Sequence, residues 1–236
     1  MSSFPKISVI LSVYNGQNYV REAIDTVLAQ DYPNVELVVV NDGSTDHTLQ
    51  IIEAYADRVL LITQVNKGLG AGRNAGVQAS NGDYLSFIDH DDCWEPCKLT
   101  RQMELIASSS EDPLIFSNVR QFICPTLTKE ESLRLRVPGE SMPGFIAGTL
   151  LLSRSRFNEV GGFFEINQVG EFVDWYLRAQ EKKLPIQMMD DVLLHRRIHK
   201  TNMGRQAEAY DRQAYLRILK ASLVRRRASR EDFNYE

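Results

Sequence analysis

The residues best able to do chemistry are Asp89, Asp91 and Asp92, which close the apolar run Tyr84-Leu-Ser-Phe-Ile. Such a run suits a buried strand, and clustered charge has no use inside one, so the acids sit at the strand's mouth. Two carboxylates about 5 Å apart repel by roughly 3 kcal/mol at an effective dielectric of about 20. Three together need a cation, a shared proton or full solvation. A hard divalent ion is the natural neutraliser, because it takes oxygen ligands, keeps open positions and bridges to the phosphates of a second ligand. An acidic loop bathed in water is the plain alternative, and the surroundings of the cluster decide between the two.

Those surroundings repeat one pattern, an apolar strand followed by polar residues and a helix. Lys6 to Val13 is a continuous aliphatic and β-branched run, and Tyr19 to Gln30 then carries Val20, Ala23, Ile24, Val27 and Leu28 at helical spacing. Tyr14 falls at the carboxyl end of that strand, where open α/β sheets place ligands, so its ring can stack on a base or fill a half-buried core position. Val35 to Val40 is a second strand, with Asp42 at its end as an acceptor for an imide N–H or a ribose hydroxyl, or as an ordinary turn residue; Asp46 reads as a helix-start residue. Arg58 to Thr63 is a third strand, and the glycine-rich stretch from Asn66 opens a helix reaching Ala79. Lys67 and Arg73 there offer cations to a diphosphate or a base carbonyl, or are solvated helix charges. Four βα-like units thus lead up to the acidic cluster.

Gly70-x-Gly72-x-x-Ala75 formally fits the dinucleotide fingerprint, but that fingerprint belongs after the first strand, where this chain has only Gly16. A nicotinamide oxidoreductase is therefore disfavoured. Beyond the cluster, Pro96 to Ala107 reads as a helix with Lys98 and Arg101 facing solvent, and Leu114 to Phe122 as a less buried strand. Cys124 to Phe145 loses periodicity and reads as a long loop or lid. Gly148 to Ser153 is a further apolar run, followed by a helical turn from Arg154 to Val160. A helix beginning near Glu171 runs through Lys182, and Glu171 and Asp174 share a face at its start, where either could act as a general base or simply complement the helix dipole. Asp190 to His199 is strand-like. His195-x-x-x-His199 lacks the acid of a zinc protease, and His199 alone either swings back to the acidic cluster or is an ordinary surface histidine. Gln206 to Val224 is an amphipathic helix, and Arg225 to Arg230 makes a basic tail that offers peripheral contact to an anionic membrane or is a solvated helix end.

Length and composition set the bounds. With 236 residues, 43% of them hydrophobic, the chain can bury one sizeable core, and one continuous domain is expected. A net charge of -4 argues against bulk nucleic-acid binding. Three cysteines (Cys93, Cys97 and Cys124) are too few for a disulfide framework, and Met1 to Lys6 shows no signal-peptide pattern, so a cytoplasmic location is expected.

Taken in order, Ser8-Val-Ile-Leu-Ser12-Val-Tyr14-Asn15, Val39-Val-Asn-Asp42-Gly-Ser-Thr-Asp46, Asn66-x-Gly68 with Ala71-x-Arg73-Asn74, and Asp89-His-Asp91-Asp92 resemble the motifs of the inverting, nucleotide-sugar-dependent family two glycosyltransferases. The resemblance covers residues 6–110 strongly and continues more weakly through Gly161-Gly162-Phe163, Glu171 to Arg178 and His195 to Asn202. It implies the A-type fold: a single α/β domain with a Rossmann-like, mixed but mainly parallel sheet flanked by helices. Residues 6–110 would form a nucleotide-sugar half, 111–204 an acceptor and catalytic half, and 205–236 a C-terminal helix and tail. It implies a donor such as a UDP-sugar held by Ser12, Tyr14, Asp42, Lys67, Arg73 and Asp89. It implies Mg²⁺ or Mn²⁺ on Asp91, with Asp89 and His199 as further ligands. The family's acidic pair is Glu-Asp, whereas here Phe172 follows Glu171, leaving Glu171 or Asp174 as the base. The acceptor is open: a saccharide, lipid carrier, peptide or small molecule. Other readings are a nucleotidyltransferase, disfavoured by the absence of a basic phosphate loop after the first strand, and a sugar-nucleotide-binding paralogue without turnover, motivated by Phe172.

Overall fold

The computed structural model describes residues 4–133, 135, 137, 139–165, 170–202 and 210–231, excepting the side chains of 210–212 and 228–231. Strand β1 (Ile7–Val13) is buried along its whole length and lies between β2 (Val35–Asn41) and β4 (Tyr84–Asp89), parallel to both; β3 (Leu60–Thr63) continues the parallel set beyond β2. The continuous apolar runs follow from burial on both faces. Ile7, Val9, Leu11, Val13, Leu37 and Val39 point to one side, against α1 (Val20–Leu28), α2 (Thr48–Glu53) and α4 (Lys98–Ser108). Ile10, Val38, Val40, Leu85 and Phe87 point to the other, against α3 (Leu69–Ala79), α6 (Arg154–Val160) and α7 (Glu171–Glu181). Each fully buried side chain of this kind contributes about 1.5–3 kcal/mol, so two opposed apolar layers fix the sheet between them.

Three complete βα units, rather than four, lead into β4. After it the sheet changes character. The order is β3-β2-β1-β4-β8-β6-β9-β5, with β7 (Met142–Pro143) added beside β6 (Leu114–Ile123). β8 (Leu151–Ser153) runs antiparallel to both β4 and β6. β9 (Ile186–Ile198) runs parallel to β6 through a bulge near Asn118 and antiparallel to β5 (Cys93–Trp94). One sheet therefore passes through both expected halves, giving a single mixed α/β domain.

Elsewhere the sequence reading needs correcting. Residues 124–145 are not all loop, since they contain the short helix α5 (Lys129–Leu133) as well as β7. The apolar run at Gly148 starts as a helical turn over Ala147–Thr149, because Thr149 Oγ1 donates back to the carbonyls of Gly144 and Ile146. Lys98 does not face solvent: it is fully buried on the inner face of α4, where its Nζ lies 3.1 Å from Ser86 Oγ, 2.7 Å from Gln102 Oε1 and 4.0 Å from the Trp94 ring centroid. Arg101 is half exposed, as expected, and pairs with Asp191 and Glu104. The last helix, α8, spans Tyr210–Glu231, and the start expected for it at Gln206 lies outside the described residues.

Candidate active site

The carboxyl ends of β1, β2 and β4 form one mouth. The two loops beyond β1 and β2 are tied together: the Asn15 N–H donates to Ser44 Oγ at 3.0 Å, the Thr45 N–H to Asn15 Oδ1 at 2.8 Å, and the Gln17 N–H to Asp46 Oδ2 at 3.2 Å. Asp46 also takes the Thr48 N–H at the start of α2, as a helix-start residue should. Asp42 is 2% exposed and accepts three bonds, from Gln64 Nε2, the Lys67 N–H and the Gly68 N–H. It thereby shapes the turn into α3, where Gly68 takes φ +88°, a value that favours glycine. Tyr14 stands half exposed beside this wall.

The three carboxylates at the end of β4 are neutralised one at a time. Asp89 Oδ1 accepts from Arg73 at 2.7 Å. Asp91 Oδ2 lies 2.8 Å from His199 Nε2 and accepts from Asn202 Nδ2 at 3.1 Å. Burial works against the Asp91 charge, but the His199 bond and the neighbouring imidazoles outweigh it and hold this carboxyl below its ordinary value. Asp92 is 2% exposed and accepts the Arg197 N–H at 3.0 Å; burial, then the charges of Asp91 and Asp89, push its carboxyl well above the ordinary range. The cluster thus presents two acids toward the mouth and keeps the third inside.

His199 reaches Asp91 because β5, directly after the cluster, pairs with β9: Cys93 sits opposite His195 and Trp94 opposite Leu194. His195 is spent elsewhere, on Glu95 at 2.5 Å. Two residues with no obvious signal in the sequence complete this corner. Arg197, inside a basic run resembling surface charge, is 5% exposed; it donates to the Asp91 carbonyl at 3.0 Å and to Glu22 at 2.6 Å between the rings of Tyr19 and Phe122. Asn202 accepts the His199 N–H at 2.6 Å while reaching Asp91.

Arg73 is not a free cation. It is 3% exposed, and its second nitrogen donates to Glu171 Oε1 at 2.6 Å, so one guanidinium bridges Asp89 on β4 and Glu171 on α7. Burial alone would lower its pKa, but the two carboxylates more than offset this and raise it. The bridge separates the two candidate bases. Glu171 is 6% exposed and reaches Asp89 through Arg73; Asp174, three residues on, is 1% exposed and held by Arg178 at 2.7 Å and by Arg225 of α8 at 3.3 Å. Asp174 is therefore engaged in a charge network with Arg178 and Arg225 on the side of α7 that meets α8. Phe172 is a core residue, packed against Trp175, Tyr176 and Phe116.

The glycines of α3 serve packing. A Cβ on Gly72 would lie 2.1 Å from Ser12 Oγ, one on Gly76 2.4 Å from Ile10 Cγ2, and one on Gly70 2.2 Å from the Phe164 carbonyl oxygen. Ser12, 4% exposed, therefore faces α3 and sets how closely Arg73 approaches the sheet. Lys67 is exposed and enters the wall through its backbone N–H.

Among the described residues, no three His, Cys, Asp or Glu side chains converge tightly enough to hold a metal ion by themselves. Asp91 is engaged by His199, and the 39% exposed carboxylate of Asp89 by Arg73; Mg²⁺ is commonly held through one or two carboxylates and substrate phosphates, so any ion here would need ligand oxygens to complete its shell.

The sheet is mainly parallel with an antiparallel return, carries acids at its mouth and is tied to α7 by a charged bridge. The pattern of glycosyl transferase family 2 matches residues 8–168, and the chain belongs to that family. An uncharacterised glycosyltransferase of Rickettsia felis is 32% identical over 212 residues, covering 83% of this chain and 34% of the relative. The chain spans about a third of the length of the first curated relatives it matches. Among solved structures, S. aureus TarS 1–349 in complex with UDP-GlcNAc superposes with a TM-score of 0.71 at 21% identity, over 93% of this chain and 66% of that one. The mannosyltransferase PcManGT from Pyrobaculum calidifontis, in complex with GDP-Man and Mn²⁺, superposes with a TM-score of 0.61 at 18% identity, over 98% of this chain and 65% of that one. Both likenesses concern the fold, which is the A-type glycosyltransferase fold.

Proposed function

We propose that the chain transfers a sugar from a nucleoside-diphosphate donor, a UDP-sugar in the first instance, to an acceptor hydroxyl with inversion. The observation that carries this reading is the Arg73 bridge, which ties Asp89 to Glu171 of α7, 98 positions beyond the arginine, and so supports a carboxylate of α7 as part of the reaction site. The donor's base lies against Tyr14 in the wall built by Asp42, with Lys67 at its rim and Ser12 beneath. The diphosphate faces Asp91, Asp89 and His199. Mg²⁺ or Mn²⁺ bound there would stabilise the charge that grows on the leaving diphosphate, a role in keeping with the Mn²⁺ in the mannosyltransferase neighbour. Glu171 takes the proton of the acceptor hydroxyl as its oxygen attacks the anomeric carbon from the face opposite the diphosphate. Arg73 holds Glu171 in place and prevents the two acids from repelling each other apart.

The test is donor turnover by the purified chain across a panel of nucleotide sugars, with Mn²⁺ or with chelator. Glu171→Gln is expected to cut turnover about 10²- to 10⁴-fold, the usual contribution of a general base, with donor affinity retained. Full activity in that variant would remove Glu171 from the mechanism. A second reading, a binding protein without turnover, draws on the buried Phe172. It predicts nucleotide-sugar binding with neither transfer nor hydrolysis in the wild type.

A further inference from the structure

Helix α8 presents a face that nothing in the transfer reaction uses. Its inner side is docked: Ala214, Ile218 and Ser222 are buried, Ser222 Oγ donates to Glu181 at 2.6 Å, and Arg225 pairs with Glu181 and Asp174. At 3.6 residues per turn, the opposite side collects Leu216, Leu219 and Leu223, with Val224 further round; these are 55%, 48%, 55% and 66% exposed. Leu216, Leu219 and Leu223 follow one another at i, i+3 and i+7, a continuous apolar stripe. Flanking it are the exposed cations Arg217, Lys220, Arg226 and Arg227, and from 213 to 227 there is no acidic residue at all.

We propose that this face docks on an anionic lipid bilayer, with α8 lying in the interface and its leucines dipped among the acyl chains. Charge complementarity selects this occupant. A second copy of the helix would set four cations against four with no acid between residues 213 and 227 of either copy to answer them, whereas anionic headgroups meet all of them while the stripe is buried. The helix lies on the surface and does not cross it, since no helix among the described residues is long and apolar enough to span a membrane. Ile218 packs where α7 begins, its Cδ1 2.6 Å from where a Cβ on Gly170 would be, so the docked surface is adjacent to the element that carries Glu171. The inference goes beyond the transfer reaction and does not rest on it, because lipid binding needs neither donor nor acceptor.

The experiment is co-sedimentation of the full chain with vesicles of phosphatidylglycerol and phosphatidylcholine, against vesicles of phosphatidylcholine alone. Binding is expected only with the anionic lipid, falling as salt is raised. Arg226→Glu with Arg227→Glu should weaken it at least about 25-fold, at roughly fivefold per cation removed. Leu219→Glu with Leu223→Glu should abolish it; both variants alter exposed side chains, and unchanged circular dichroism would confirm an intact fold. Absence of binding at low salt, or binding indifferent to both variants, would overturn the proposal. So would a concentration-dependent dimer dispersed by the leucine variant in place of lipid binding, which would assign the face to a second copy.

Discussion

Arg73 balances two acids with one charge, and the proposed reaction gives the base's role to the one on α7, Glu171. Asp174 belongs to a different network, and its replacement should be read as a stability change. Asp174→Asn leaves Arg178 without its carboxylate and Arg225 with Glu181 alone, and is expected to cost about 1–3 kcal/mol, discounted from a fully buried pair because Arg225 is a third exposed. Urea unfolding measures this, with nucleotide affinity of the folded protein unchanged; lost turnover at unchanged stability would reinstate Asp174 as the base. Lys98 makes a second residue-level prediction. Burial among uncharged partners pushes its ammonium well below the ordinary value, so the unfolded chain binds a proton that the native chain does not. Stability therefore rises with pH from the lowered native value up to about 10.4, by at most roughly 1.4 kcal/mol per pH unit. Urea titrations as the pH is raised toward the ordinary lysine value of about 10.4 should show this rise in the wild type and not in Lys98→Met; parallel profiles would mean that Lys98 is charged in the core. Residue type made Asp91 and His199 legible in the sequence. Lys98 was misread because a polar side chain at the inward position of α4 looks solvated until its neighbours Gln102 and Ser86 are seen, and Arg73 because its partners lie 16 and 98 positions away.

At the scale of elements, periodicity carried well where a single force acts. Strands β1, β2 and β4 and helices α1, α3, α6 and α7 lie close to where their apolar runs place them, because burial on two faces or one stripe fixes them locally. β5, β7 and the turn at Ala147–Thr149 were not legible, because two-residue pairings and back-bonding hydroxyls leave no period. The glycines of α3 show how spacing can mislead: they match a phosphate-binding fingerprint but exist to let the helix meet β1. Gly76→Ala tests this reading. Helix propensity favours alanine by up to about 1 kcal/mol. The added methyl would meet Ile10, a fully buried β-branched residue, so overpacking of about 1–3 kcal/mol should win and the variant should be less stable. A more stable variant on thermal unfolding would show that α3 has room to move.

Across the whole molecule, the mouth of the sheet gathers residues far apart in the chain, Asp91 just after β4 and, 108 positions on, His199 with Asn202 just after β9. The central claim is that this mouth binds a nucleoside diphosphate with a divalent ion. The most direct measurement is thermal unfolding of the wild type and Asp91→Ala with UDP, GDP, dTDP and CDP, each with Mn²⁺, Mg²⁺ or chelator. A ligand at about 100 times its dissociation constant adds roughly 2.7 kcal/mol to native stability. For a domain of this size that moves the midpoint by about 5–10 °C. The account predicts such a shift for one diphosphate, dependent on the metal and lost in Asp91→Ala. A wild type whose midpoint moves with none of them would contradict it, and would leave the acids at the end of β4 with a purely structural role.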